Sequence, residues 1–364
     1  MEGRNRRPLV FGAPAGGMDG SSPRRATARC CRSQNTMISL CDLKPALAPL
    51  RADIEAAIGR VIDSGWFLRG RETAAFEEEW ADYCGQRYSV CCNSGTDALT
   101  LAAMALGLRQ VTIQANTLPL TGLGLHRAGA AVHLAEIGVD GHLLGPDEDA
   151  VPVLLYGRLP SAAESSALLF DAAHAHGWRP PSQAAAAWSF YPTKTLGAFG
   201  DAGSITTNDP ALADEMRKLC GRDDLLQDRR QLTSRMDEMQ AAVLRVKLRH
   251  LDRWLAERQD IADRYADWLA PFGLTLSGSS MHHLYVIRTD RRDALLHFLE
   301  AHDIHCKVHW PQGLHRLPGP WSALGEFPNT DAWCDTVLSL PCYPGLALPF
   351  VDEVSQKIIE WIEL

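Results

Sequence analysis

Ser189-Phe190-Tyr191-Pro192-Thr193-Lys194-Thr195-Leu196-Gly197, followed closely by Gly200-Asp201-Ala202-Gly203, is a small, polar, Gly-rich loop with a lysine at its centre. The chain has six lysines, Lys44, Lys194, Lys218, Lys247, Lys307 and Lys357, among 36 Lys+Arg positions. Where only positive charge is needed, it usually writes arginine. A lysine in this loop therefore points to chemistry that a guanidinium cannot do, such as forming a Schiff base with an aldehyde. The alternative is a solvated loop lysine, which holds until partner groups are found.

Partner groups lie upstream. Ala167-Leu168-Leu169-Phe170 reads as a short buried strand that runs into Asp171-Ala172-Ala173-His174-Ala175-His176-Gly177. This sets a carboxylate at a strand's carboxyl end, where open α/β sheets bind ligands. Pyridoxal phosphate (PLP) needs such a carboxylate to keep its ring nitrogen protonated, so that the ring can act as an electron sink. Further upstream, Cys91-Cys92-Asn93-Ser94-Gly95-Thr96-Asp97-Ala98-Leu99 passes from an apolar stretch into a helical pattern. Gly95 and Thr96 would offer free N–H groups at a helix N-terminus, a ready phosphate site. Taken singly, Asp171 reads as a helix cap, Gly95-Thr96 as an ordinary helix start and Lys194 as a surface residue. Their order along one chain argues for a joint site.

In that order the sequence resembles the DegT/DnrJ/EryC1/StrS family of PLP-dependent sugar aminotransferases. The resemblance starts with Asp63-Ser64-Gly65-Trp66-Phe67-Leu68-Arg69-Gly70 and Phe76-Glu77-Glu78-Glu79-Trp80, and takes in the two loops above. It continues through Arg235-Met236-Asp237-Glu238-Met239-Gln240, His283-Leu284-Tyr285-Val286, His309-Trp310-Pro311-Gln312-Gly313-Leu314-His315 and Leu338-Ser339-Leu340-Pro341. It implies an α/β, aspartate-aminotransferase-like fold: a large domain with a mostly parallel, seven-stranded type of sheet, and a smaller C-terminal α/β domain.

Composition narrows the classes of partner. A net charge of −8, without a long basic stretch, argues against nucleic acid or an anionic membrane as the main partner. No apolar segment approaches the roughly 18 residues of a spanning helix. Ten cysteines at irregular spacing, including Cys30-Cys31 and Cys91-Cys92, show no CxxC metal pattern, so no metal is expected and reduced cytosolic thiols are. Residues 1–36 are rich in Arg, Gly and Ser without apolar periodicity and read as a disordered tail.

The periodicity predicts helices over Ala46–Ile62 and Ala74–Tyr83, and strands at Val111–Ile113, Ala131–Leu134, Pro152–Tyr156, Ala167–Phe170 and Ser204–Thr207. Such alternation implies a largely parallel sheet with helices on both faces. An apolar stripe from Met236 to Trp268 predicts one long or kinked helix leading out of the large domain. Beyond it, strands near Leu284–Val286 and His305–His309 and helices near Asp293–Ala301 and Val351–Ile362 are expected. The expected division is a tail at 1–36, a large cofactor-binding domain at 37–250 and a small domain at 251–364.

By resemblance, Lys194 holds the cofactor and moves the proton, and Asp171 holds its ring nitrogen. Backbone amides of Gly95 and Thr96 and the Ser189 hydroxyl bind its phosphate. His174 lies near its phenolic oxygen, and Tyr191 packs behind the lysine loop. Trp66, Tyr191, His309 and His315 are the candidate substrate contacts. For Lys194 to act as a nucleophile, burial or nearby positive charge must depress its pKa from about 10.4.

Three positions depart from the family pattern: Leu118 replaces an aromatic residue over the ring, Thr233 an Asn that reaches a neighbouring subunit's phosphate, and Leu154 a His. The implied activity moves an amino group from L-glutamate or L-glutamine to a keto group on a nucleotide-linked deoxysugar, in a cytoplasmic homodimer with shared sites. The same machinery also suits a keto-cyclitol or another carbocycle. A partner protein that binds PLP or sugar nucleotide without turnover is favoured by Leu118 and Thr233, and opposed by Lys194 with Asp171.

Overall fold

Tyr88-Ser89-Val90-Cys91-Cys92 forms the first strand, β1 (Tyr88–Cys92), buried along nearly all its length. In the computed structural model, which describes residues 37–145, 149–221, 230–276, 278, 280–323 and 325–364, eight further strands follow. They are β2 (Gln110–Gln114), β3 (Ala131–Ala135), β4 (Leu169–Asp171), β5 (Ala185–Ser189), β6 (Gly203–Thr207), β7 (Tyr285–Arg288), β8 (Trp321–Ala323) and β9 (Val337–Leu340). The tail expected at residues 1–36 lies outside the described residues.

Hydrogen bonding orders the strands β1-β6-β5-β4 in one group and β2-β3-β8 in another. Two parallel bridges, Val153 to Asp171 and Thr112 to Ala150, join the groups into one sheet. Within it only β6 runs against its neighbours; the other pairings apart from β1–β6 and β5–β6 are parallel. This is the α/β, aspartate-aminotransferase-like architecture. Both faces of the sheet are covered, as parallel sheets require. On β5, Ala185 and Ala187 enter the core beneath the helix Gly95–Leu106, while Ala186 and Trp188 enter an opposite core with Trp80, Phe170 and Phe190.

The stretch Pro152–Tyr156 does not become the predicted strand. Pro152 has no N–H for a ladder, and Tyr156 and Gly157 take left-handed backbone conformations (φ 65° and 94°) that turn the chain away. A side chain stands in for the missing neighbour: the Gln114 amide donates to the Val153 carbonyl at 2.7 Å and accepts from its N–H at 2.9 Å. His305–His309 likewise contributes only a bridge, Lys307 to Ser339. The long helix is broken in two, Glu238–Leu248 and Leu251–Leu269.

The C-terminal helices Arg292–Glu300 and Leu348–Ile362 pack with Leu251–Leu269 around β7 and β9 in a separate core. Leu314 and Phe327, on the segment that carries β8, return to the core of the large sheet. Glu238 anchors an early helix: its carboxylate accepts from the N–H groups of Gly70, Glu72 and Thr73, filling the open N-terminus of Arg71–Cys84. Among the described residues no helix is long and apolar enough to cross a membrane. Eight described cysteines are free thiols.

Candidate active site

A cavity of about 470 Å³ opens where β4 and β5 end and the helix Gly95–Leu106 begins. Asp171, the last residue of β4, is buried. Its Oδ2 accepts from the Thr121 hydroxyl at 2.7 Å and its Oδ1 from the Ala173 N–H at 3.1 Å. Burial raises its pKa, against the pull of these two bonds and of the Lys194 charge. The two donors fix the orientation of the carboxylate.

Lys194 lines the same cavity from the turn after β5. Its N–H donates to the Tyr191 carbonyl at 2.8 Å, and Ala198 N–H closes the loop onto Phe190 O at 2.7 Å. Gly197 permits the tight fold, since a Cβ there would fall 2.3 Å from the Pro192 carbonyl oxygen. Burial lowers the Lys194 pKa to about 8, more than the Asp171 charge raises it. The neutral amine is then a minor form at pH 7 but far more populated than in an ordinary lysine, and burial, not a neighbouring cation, is the cause.

At the start of Gly95–Leu106, Ser94 caps the helix by accepting from Asp97 N–H at 3.1 Å. Gly95 and Thr96, in the first turn, have no intrahelical carbonyl for their N–H groups and line the cavity. A Cβ at Gly95 would come within 2.7 Å of Ser189 Cβ, and one at Gly203 within 2.4 Å of the Ser94 backbone. These two glycines let β5, β6 and the helix start converge. Ser234 braces the loop, donating to Asp97 Oδ2 at 2.7 Å and accepting from Asn93 N–H at 3.1 Å.

Three imidazoles occupy the far wall. His174 Nδ1 accepts from Tyr156 N–H at 3.1 Å, which leaves its proton on Nε2 as a donor. Its ring lies 4.4 Å from that of His283, and His309 lines the cavity beside Trp310. Burial is the main reason that all three sit below the ordinary histidine range, His309 at about 4, so they are neutral at physiological pH.

The sequence profile of the DegT/DnrJ/EryC1/StrS aminotransferase family matches residues 49–151 and 161–359. The chain belongs to this family. A dTDP-3-amino-3,4,6-trideoxy-alpha-D-glucose transaminase of Streptomyces venezuelae is 37% identical over 91% of this chain and 98% of its own. The erythromycin biosynthesis sensory transduction protein EryC1 of Saccharopolyspora erythraea is 38% identical over 86% of this chain and 96% of its own. The crystal structure of DesV from S. venezuelae superposes with a TM-score of 0.84 at 35% identity, covering 91% of this chain and 100% of DesV.

Like its family, the chain is a PLP-dependent aminotransferase. The residues present fit that cofactor. The Gly95 cradle beside Ser189, the open N–H groups of the first turn, the buried Asp171 carboxylate and the low-pKa Lys194 amine share one cavity. The Thr117 hydroxyl, on the cavity wall, is buried without a partner among the described residues.

Of the family positions singled out in the sequence, Gly95, Thr96, Leu118, Leu154, Asp171, His174, Ser189, Tyr191, Lys194 and His309 line this cavity. Tyr191 does not pack behind the loop. Phe190 takes the inward side, edge-on to Phe76 and Trp80, and Tyr191 is 53% exposed on the other. His315 lies elsewhere, bound to Asp331 at 3.0 Å and stacked on Phe327. Trp66 is 63% exposed and donates to Leu68 O; Thr233 is exposed as well, and neither lines the cavity of its own chain.

Thr121, His283 and Lys307 are cavity residues that the sequence reading did not assign a role. Thr121 carries a faint signal, one helical turn after Leu118 on the helix Pro119–Arg127. Lys307 carries a clearer one, being one of only six lysines.

Proposed function

We propose that this aminotransferase moves an amino group from L-glutamate or L-glutamine to a keto group of a nucleotide-linked deoxysugar. The observation that carries the reading is the meeting of the Lys194 amine and the bonded Asp171 carboxylate in one cavity above a phosphate cradle. Support for a deoxygenated acceptor comes from the aliphatic side chains of Leu40, Leu120 and Leu155 on the cavity wall, which leave hydroxyls unpartnered. The named activity of the S. venezuelae relative points the same way.

When bound, PLP supplies an aldehyde carbon and an electron sink. Asp171 holds a proton at the ring nitrogen, and Thr121 and Ala173 keep its oxygens aimed. The first-turn amides of Gly95 and Thr96, with the Ser189 hydroxyl, hold the phosphate. His174 donates through Nε2 to the phenolic oxygen. Neutral Lys194 Nζ takes a proton from the donor's α-carbon in the first half-cycle. In the second it delivers one to the sugar carbon that gains nitrogen. The donor leaves as its keto acid and the acceptor as an amine, so atoms and electrons balance.

Leu118 offers an aliphatic face where an aromatic ring would stack, a difference of about 0.5–1.5 kcal/mol. Trp66 and Thr233, exposed on their own chain, join a site in a homodimer that brings them to the partner's cavity. His309 contacts the acceptor from the far wall, and Tyr191 from the rim.

A two-step spectroscopic assay tests the function. Protein treated with L-glutamate and freed of it should regain its original cofactor spectrum on addition of a nucleotide-linked keto-deoxysugar. Recovery with a keto-cyclitol alone would replace the acceptor, and a spectrum that no amino donor alters would favour a binding protein without turnover. Light scattering should report a dimer; an active monomer would remove the shared site.

A further inference from the structure

Both proposed substrates carry anionic groups: the donor an α-carboxylate and the acceptor a diphosphate. A cavity that admits them in turn needs a cation that is not already engaged. Among the described residues, Lys194, Arg258 and Lys307 are the lysines and arginines on its lining. Lys194 is the reacting amine. Arg258 is 3% exposed, and its Nη1 donates to the carbonyls of His282, His283 and Cys342 at 3.2, 3.0 and 2.6 Å. Its Nη1 is committed to cross-linking backbone and holds the guanidinium in place, while its Nε is buried without a partner among the described residues. The imidazoles of His174, His283 and His309 are neutral through burial.

Lys307 differs from all of these. Its backbone is fixed by an antiparallel bridge to Ser339, with Lys307 N–H to Ser339 O at 3.2 Å and Ser339 N–H to Lys307 O at 2.8 Å. Its side chain is exposed and has no hydrogen bond or ion pair with a described residue. It nonetheless lines the cavity, and its charge adds to burial in holding the His309 pKa below the ordinary range. A rigid base and an unspent ammonium at the mouth form a half-built ion pair. Resting on the amino transfer proposed above, we infer that Lys307 is the anion anchor of the cavity, binding the donor's carboxylate or the acceptor's diphosphate.

The test uses the holoenzyme and follows each half-reaction separately by the cofactor spectrum, with L-glutamate in one arm and a nucleotide-linked keto-deoxysugar in the other. Lys307→Met should raise the half-saturating concentration about tenfold or more in at least one arm, with the limiting rate within about threefold of wild type. The shifted arm names the anion. Lys307→Arg, which keeps the charge, should restore saturation to within about threefold of wild type. Lys357→Met, which removes a half-buried lysine paired with Glu360 on the C-terminal helix, serves as the control and should change nothing. Unchanged saturation in both arms of an active enzyme would overturn the anchor, as would an Arg variant no better than Met. A wild-type protein idle in both arms would instead overturn the functional reading beneath it.

Discussion

The lysine loop lies between two ammonium groups in opposite circumstances. Lys194, on its cavity side, meets open space and the Asp171 charge. Lys247, on its back, is 5% exposed and donates to the Gly197 carbonyl, with its Nζ 5.7 Å from the Phe199 ring and 5.8 Å from the Trp254 ring. Burial pushes both to about 8. The same shift serves different ends: access makes one amine a reactant, and a committed carbonyl makes the other a strut. A depressed lysine pKa alone therefore does not mark a catalytic residue.

The largest expected effect separates the two. Lys194→Ala should lower turnover by about 10³-fold or more, with the melting temperature nearly unchanged. A variant retaining a tenth of wild-type activity would break the contrast. Asp171→Asn comes next. An amide cannot hold the ring nitrogen's proton as a carboxylate does, so the L-glutamate half-reaction should slow by about 10²-fold or more in stopped-flow absorbance. Thr121→Val, which removes one of that carboxylate's donors, should cost less.

Lys247→Met tests the other side. It leaves the Gly197 carbonyl without its donor and should cost about 1–3 kcal/mol in urea unfolding of the cofactor-free protein, with turnover within about tenfold of wild type. Turnover lost as completely as in Lys194→Ala, in a folded protein, would make the strut part of the chemistry. The pH dependence has a definite sign. The folded pKa of Lys247, about 8, lies below the unfolded value of about 10.4, so the unfolded chain binds more protons in that window. Wild type should gain stability relative to Lys247→Met as the pH rises from about 8 to 10. Taking the difference cancels the buried cysteines and tyrosines, whose raised pKa values act the other way.

The gentlest test concerns Lys194 itself. The rate at which cofactor-free protein captures PLP, read by absorbance, should climb with pH and level off above about 8, as the neutral amine becomes dominant. An inflection near the ordinary lysine value would show that burial does not activate this amine.

Much of the cofactor floor was readable because each part is a local pattern with a local physical cause. Gly95-Thr96 starts a helix, Asp171 ends a strand and Lys194 sits in a turn that Gly197 makes tight. The misreadings have causes of another kind. Pro152–Tyr156 has a strand's composition, but Gln114, 39 residues earlier, supplies the pairing that a strand would have supplied. Tyr191 and Phe190 are adjacent aromatics, and only the Phe76–Trp80 core decides which one turns inward. His315 shares a motif with His309, yet a carboxylate at Asp331 holds it away from the cavity.

The sequence by itself determined the reaction chemistry, because an amine, a carboxylate and a phosphate cradle are properties of residue type and of short segments. Tertiary structure decided which groups are free to use it. It buried Lys194 enough to lower its pKa, gave Asp171 the Thr121 hydroxyl from 50 residues away, committed Lys247 and the Arg258 Nη1 to carbonyls, and left Lys307 unspent at the mouth. Burial and partnership depend on distances between segments far apart in the chain, and only the folded packing sets those distances.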